Sequence, residues 1–251
     1  MAILVVNNIS KHFGGLQALF KVNISVEAGT THSLIGPNGA GKSTLLNVLT
    51  GQIEPNEGSV VFKDRPLLNI TPHKINQLGI ARVFQTPAIF PEMVLLENVM
   101  AAVFASRDGA YKFNLLESRR HAQSVANFAI EILEQVGLQH KIRSEARFLS
   151  RGDKRRLELA ICLAHKPSLL LLDEPTAGMA RHETESTIEL LRSISKKNMT
   201  IVIVEHDMNV VFALSDTITV LSQGQVIAEG IPDHVRGNPA VIEAYLGKEH
   251  A

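Results

Sequence analysis

A single cysteine, Cys162, leaves this chain no means of closing an internal disulfide. It lies in the apolar run LAICLA, where cysteine serves as a small core residue, and a reducing cytoplasm fits its solitude. An excess of either charge is also missing. Lys and Arg number 25, as do Asp and Glu, so no bulk attraction to nucleic acid or anionic lipid is expected and any basic patch must be local. Long apolar runs are absent. The longest pure run, LLLL at 169–172, falls far short of the roughly 20 residues that span a bilayer. The opening MAILVVNNIS has neither a basic n-region nor a long apolar h-region, so no signal peptide is expected. Repeats and low-complexity segments are not evident. These absences point to a soluble protein; work at a membrane would require another chain to hold it there.

What is present is material for a core: 45% of the 251 residues are hydrophobic, which suits one domain over 1–251 carrying a lobe. ILVVNNIS, KVNISVEAG and GSVVFKD read as short strands with turn residues between them. THSLIG is a strand that stops at a glycine loop, and 42–50 a helix ended by Gly51. From about 90 to 165 the character turns helical. Val125, Phe128, Ala129, Ile132, Leu133 and Val136 recur at three- and four-residue spacing, one face of a helix ended by Gly137. A later helix is expected from Asp153 to Pro167. LLLLDE and TIVIVEHD are near-continuous apolar strands flanking a helical stretch near 181–196, the pattern of a parallel sheet covered on both faces. TITVLSQGQVIAEG reads as a hairpin and NPAVIEAYLG as a short closing helix.

One stretch states its chemistry directly. GPNGAGKST, residues 36–44, matches G-x-x-x-x-G-K-[ST] between a predicted strand and a predicted helix. Gly36, Pro37, Asn38, Gly39, Ala40 and Gly41 form a loop whose backbone N–H groups can curl around phosphate oxygens. The helix start adds a favourable dipole. Lys42 supplies a point charge to the β- and γ-phosphates of a nucleotide, Ser43 offers a hydroxyl to Mg²⁺, and Thr44 completes the motif. Asp173, at the end of LLLLD, can bind Mg²⁺ through water. Glu174 points a different way and can polarise the attacking water as general base. His206 ends a third strand, where it can reach the γ-phosphate; a histidine at a strand end can equally be structural. Gln85, in VFQTP, stands where the chain enters the helical region.

SEARFLSRGDKRRLELAICLAHK, residues 144–166, runs against helix electrostatics. A helix start favours acids, yet here Arg151, Lys154, Arg155 and Arg156 face one acid, Asp153. Such a start is either a solvated basic end or one that faces an anion. Ser150-x-x-Asp153 also fits a capping box.

In their order along the chain, the P-loop, Gln85, LSRGD at 149–153, Asp173–Glu174 and His206 resemble the nucleotide-binding subunit of ABC transporters. The resemblance implies an α/β P-loop NTPase with a parallel-sheet core, an N-terminal antiparallel β portion and a helical subdomain over 86–165. It implies that Phe13, in KHFGGLQAL, stacks on adenine, and that Gln85 contributes to the metal and catalytic site. LSRGD lies where the family carries Leu-Ser-Gly-Gly-Gln. Two subunits of the family pair head to tail, so Ser150 and Gly152 would act on the phosphate held by the partner's P-loop, and the basic helix start would face that anion. Arg151 and Asp153 depart from the signature, as does Ala180, where the family often has an acid or amide. FGGLQAL, FQTPAIFPEM, LLDEPTAGM, VEHDMNVVFALSD and NPAVIEAYLG are similar to ATPases of branched-chain amino-acid and urea-type importers. That branch implies a dimer of ATPase chains, cytoplasmic and peripheral, beneath two permeases fed by an extracytoplasmic solute-binding protein, with no nucleic acid involved. TPAIFPEMVLLENV, with Ile89, Phe90, Met93, Val94 and Leu95, is the expected permease-docking segment. The alternatives are the ATPase of a lipopolysaccharide-export ABC system and a soluble ABC ATPase acting on DNA. The latter is disfavoured by the roughly 130 residues between Lys42 and Asp173, too few for a long coiled coil.

Overall fold

The computed structural model describes residues 1–84, 88–108 and 119–246. It opens with β1 (Ala2–Phe13) and β2 (Leu16–Glu27), an antiparallel pair joined at Gly14 and Gly15. Both strands are longer than their apolar segments suggest, because shifts in register bend the ribbon and keep both ends paired. β3 (Thr31–Ile35) leads to α1 (Lys42–Leu49). β4 (Glu57–Phe62) and β5 (Arg65–Pro66) complete a four-stranded sheet of order β2-β1-β4-β5. α2 (Pro72–Gln77) precedes β6 (Ile80–Val83). Three helices follow: α3 (Leu95–Asp108), α4 (Arg119–Gln135) and α5 (Arg151–Ala164). Then come β7 (Leu169–Asp173), α6 (Arg181–Ser195), β8 (Thr200–Val204) and α7 (Met208–Leu214). The hairpin of β9 (Thr217–Ser222) and β10 (Gln225–Gly230), with α8 (Pro232–Arg236) and α9 (Pro239–Leu246), closes the described chain.

The second sheet has the order β10-β9-β3-β8-β7-β6 and is parallel except for β10 at its edge. Every residue of β3, β7 and β8 is buried, which explains their unbroken apolar runs. Side chains of a strand alternate faces, and LLLL shows the result. Leu169 and Leu171 join a core shared with the antiparallel sheet and α1, while Leu170 and Leu172 join a core shared with α3, α4 and α5. Ile201 and Ile203 divide from Val202 and Val204 in the same way. The apolar face of α4 is therefore continuous with the sheet: Val125, Ala129, Leu133 and Val136 are buried in the cluster that holds Leu170. Cys162 lies in this core too, and burial pushes its thiol up to about 12, so it stays protonated.

The start of α5 differs from the expectation. The helix begins at Arg151, two residues before Asp153, because Ser150 caps it: its Oγ accepts from the Asp153 N–H at 3.1 Å. The return half of the capping box is not seen; the Asp153 carboxylate pairs with Lys141 Nζ at 2.5 Å. Nor do all four cations face outward. Arg155 is buried, and Arg156 donates to the Val136 carbonyl (3.1 Å) and to Ser186 Oγ (2.5 Å). The helical turn puts both on the face toward the core, so only Arg151 and Lys154 of the four remain for an outside anion.

Candidate functional site

Three adjacent strands, β3, β8 and β7, bring their carboxyl ends together, in register at Leu34–Val204 and Asp173–Val204. This edge is where open parallel sheets bind ligands. At the end of β3 the chain enters the 36–44 loop. Gly36 has φ 147°, and a Cβ there would fall 2.0 Å from the Leu221 carbonyl oxygen, so glycine is required for the loop to pass β9. Gly39, at φ 80°, has open space beside it, which leaves that part of the loop accessible. Lys42 is nearly buried; its Nζ donates to the carbonyls of Gly36 (2.6 Å) and Pro37 (3.0 Å). Ser43 is exposed, Thr44 half-buried and Ala40 buried. The β1–β2 hairpin lies alongside, with the Ala18 carbonyl oxygen 2.6 Å from where a Cβ on Gly41 would be. At the hairpin's tip Phe13 is 47% exposed, with Lys11 Nζ 5.2 Å from its ring centroid, so it is a surface aromatic and not a core residue.

Asp173 ends β7 and is buried, and Arg82 of β6 donates to its Oδ2 at 2.7 Å. The same guanidinium donates to Asn47 Oδ1 at 2.7 Å, tying β6, β7 and α1 together. Glu174 turns away from Asp173 because its backbone is left-handed, φ 48°, with its N–H bonded to the Val204 carbonyl. Its Oε1 stands 3.8 Å from Nδ1 of His206, whose ring is largely exposed. Gln85 lies outside the described residues.

Behind these groups sit Arg155, which the sequence offered only as one of four cations at a helix start, and two acids that sequence reasoning did not single out, Glu158 and Glu205. Arg155 of α5 donates to the carbonyls of Asp173 (2.6 Å), Glu174 (3.1 Å) and Phe84, and pairs with Glu158 at 2.8 Å. Glu158 in turn accepts from the Phe84 N–H at 3.0 Å. Burial pushes the Glu158 carboxyl up, and the Arg155 charge only partly offsets this. Glu205, fully buried at the end of β8, binds both the 174–180 turn and the start of the α7 segment. The available signal was local: a charge set directly in an apolar run, as in LELA and TIVIVE.

Ser150 and Gly152 stand at the start of α5, against the turn that follows Glu174. A Cβ on Gly178 would lie 2.4 Å from Arg151 Nη1, so the Arg151 guanidinium rests on Gly178. Gly152 abuts the Glu183 carboxylate, which also accepts from the Ala180 N–H at 3.1 Å. A cleft of about 460 Å³ borders the P-loop between Asn38 and Glu243; a larger one of about 870 Å³, between α3, α4 and the end of α5, contains none of these residues. The charged and hydroxyl groups named above converge at the strand edge, so chemistry belongs there and not in the larger of these two clefts.

A glycine loop between a buried strand and a helix, with two acids and a histidine on the neighbouring strand ends, defines a P-loop nucleotide-binding domain. The chain belongs to the ABC transporter family: the model for that family matches residues 19–177, and one described as branched-chain amino acid ATP-binding cassette transporter matches 225–251. It is thus an ATP-binding cassette and an ATPase. The high-affinity branched-chain amino acid transport ATP-binding protein LivG of Escherichia coli K12 is 40% identical over 98% of both chains. Among solved structures, the ABC transporter cassette MJ1267 in its ADP conformation gives a TM-score of 0.86 at 34% identity, covering 98% of this chain and 99% of its own. The dimeric cassette MJ0796, bound to ADP and Pi, gives 0.77 at 27% identity over 91% and 98%. These relatives do not favour a lipopolysaccharide-export or non-transport ATPase.

Proposed function

We propose that this chain hydrolyses ATP as one of a pair of cassettes powering an importer of branched-chain amino acids. The observation that carries the chemistry is the meeting of Glu174 with His206 at the strand edge that also carries the P-loop. Residues 36–44 cradle the phosphates, and Lys42 exchanges its loop carbonyls for phosphate oxygens. Glu174 accepts a proton from the attacking water as that oxygen bonds to the γ-phosphorus and the bond from the γ-phosphorus to the β–γ bridging oxygen breaks, which releases ADP and inorganic phosphate; His206 orients the γ-phosphate. Phe13 offers its exposed face to adenine. Ser150 and Gly152 serve the nucleotide of the second subunit; that MJ0796 is dimeric supports the pairing of two cassettes. The cap leaves the Ser150 hydroxyl proton free to donate, since Oγ only accepts there.

The residues fit Mg²⁺. Ser43, exposed at the start of α1, and Asp173, at the end of β7, are hard oxygen donors of the kind that Mg²⁺ takes. Bound there, the ion would neutralise charge on the phosphates; Gln85 is the further ligand proposed.

The partner would be a permease that places the subunit on the cytoplasmic face of the membrane and receives solute from a binding protein outside. No helix among the described residues is long and apolar enough to cross a membrane. A fitting surface is present. Residues 91–96 zip against 142–147, through Val94–Glu145 pairing and bonds from Ala146 N–H to Met93 and Arg147 N–H to Pro91. Buried Asn98 pins this loop, accepting from the Phe90 N–H and donating to the carbonyls of Phe90, Met93 and Val94. Phe90 and Phe148 are left 57% and 73% exposed, whereas Leu95 is fully buried and serves the core. The test is reconstitution: the chain purified with its permease, placed in vesicles, and supplied with ATP and radiolabelled leucine. ATP-driven uptake by wild type, abolished by Glu174→Gln with ATP binding intact, is the expected outcome. Leucine uptake that is independent of ATP would refute the proposal.

A further inference from the structure

Glu205 has no part in the roles above, and its surroundings are unusual for a carboxylate. It is fully buried at the point where the chain leaves β8. Its two oxygens serve two different segments. Oε1 accepts from the Thr176 N–H at 3.1 Å and from the Thr176 hydroxyl. Oε2 accepts from the N–H groups of His206 at 2.9 Å and Asp207 at 3.3 Å. The His206 ring hangs between two carboxylates, its Nδ1 3.7 Å from Oε2 of Glu205 and 3.8 Å from Oε1 of Glu174.

We propose that Glu205 is a positioning residue for ATP hydrolysis: one buried carboxylate holds His206 against Glu174 and, through Thr176, holds the turn that bears on the start of α5. The proposal rests on the site described under Proposed function. Hydrogen bonds to an ionised acceptor are stronger than neutral ones, and a buried charge that loses its donors is costly. Neither segment can therefore leave the carboxylate cheaply. Contacts continue beyond Thr176. Gly178, two residues on, carries the Arg151 guanidinium, and Arg151 follows Ser150, the cap of α5. A shift of His206 on its own nucleotide is thereby passed to the helix start that addresses the second subunit. An amide cannot replace the acid. Glutamine keeps one acceptor oxygen, and its NH₂ would confront N–H donors, so it can hold only one of the two segments.

The test is the steady-state MgATPase activity of the full chain assembled with its permease, for Glu205→Gln, Thr176→Val, the double variant and Glu174→Gln. The expected result for Glu205→Gln is a kcat reduced about tenfold or more, with KM for ATP within about twofold, since transition-state geometry is lost and ground-state binding is not. Thr176→Val keeps the side-chain shape and should lower kcat by about threefold or more; the double variant should be no slower than Glu205→Gln, because both act through one contact. Unchanged kcat in Thr176→Val, or losses that simply multiply in the double variant, would overturn the proposal. Should Glu205→Gln fail to fold, Thr176→Val decides alone. Glu174→Gln separates the levels. If it still hydrolyses ATP, the site assignment is wrong; if it is inactive while the Glu205 and Thr176 variants are normal, only this proposal fails.

Discussion

Acidification should destabilise this protein through one buried histidine, well before most carboxylates titrate. His32 lies in β3, the strand that feeds the P-loop, and is 2% exposed. Its Nε2 is 2.7 Å from Thr219 Oγ1, and that hydroxyl donates its only proton to Glu229 Oε2 at 2.6 Å. Thr219 must therefore accept from His32, which fixes the neutral tautomer with its proton on Nε2. Burial lowers the His32 pKa from 6.5 to about 4. The folded-state pKa is depressed, so below 6.5 the unfolded chain binds a proton that the folded chain refuses. The contribution is fully present at pH 7.5 and falls away between pH 6.5 and 4. Linkage gives a loss of about 1.4 kcal/mol at pH 5.5 and about 2 kcal/mol at pH 5 relative to pH 7.5. Urea unfolding followed at several pH values measures it, with His32→Gln as the comparison. Carboxylates common to both proteins cancel in the difference, so wild type should lose this much more stability than the variant on acidification. Parallel stability curves across pH 5 to 7.5 would refute a neutral buried His32.

Two further expectations concern the surface. Phe13→Ala should weaken ATP binding by about 1–3 kcal/mol, the worth of a base stacked on an aromatic ring, while Phe13→Tyr is mild; calorimetric titration checks both. Phe90→Asp and Phe148→Asp should leave folding intact, since both rings are exposed, but should abolish co-purification with the permease; retained assembly and transport would place the docking surface elsewhere.

The sequence by itself determined what depends on neighbours along the chain. The P-loop is legible because its geometry is local: glycines and a helix start within nine residues suffice. β7 and β8 are legible because burial on both faces demands unbroken apolar runs, and the face of α4 because its period is regular over many residues. Short helices such as α2 and α7 span two turns or fewer and leave no such period. Tertiary structure decided which charges are exposed and which are buried. Arg151, Lys154, Arg155 and Arg156 look alike in sequence; only packing against residues 84, 136, 173 and 174 turns two of them inward. The Asp153 N–H belongs to the Ser150 cap as the sequence suggests, but its carboxylate meets Lys141 and not the helix start. Leu95 and Phe90 share one apolar segment, yet Asn98 pins the loop so that the first enters the core and the second faces solvent. Arg82 meets Asp173, and Glu205 meets Thr176, only when segments distant in the chain come together. A buried charge persists only where the fold supplies its partners, and those partners come from strands and loops far apart in the chain.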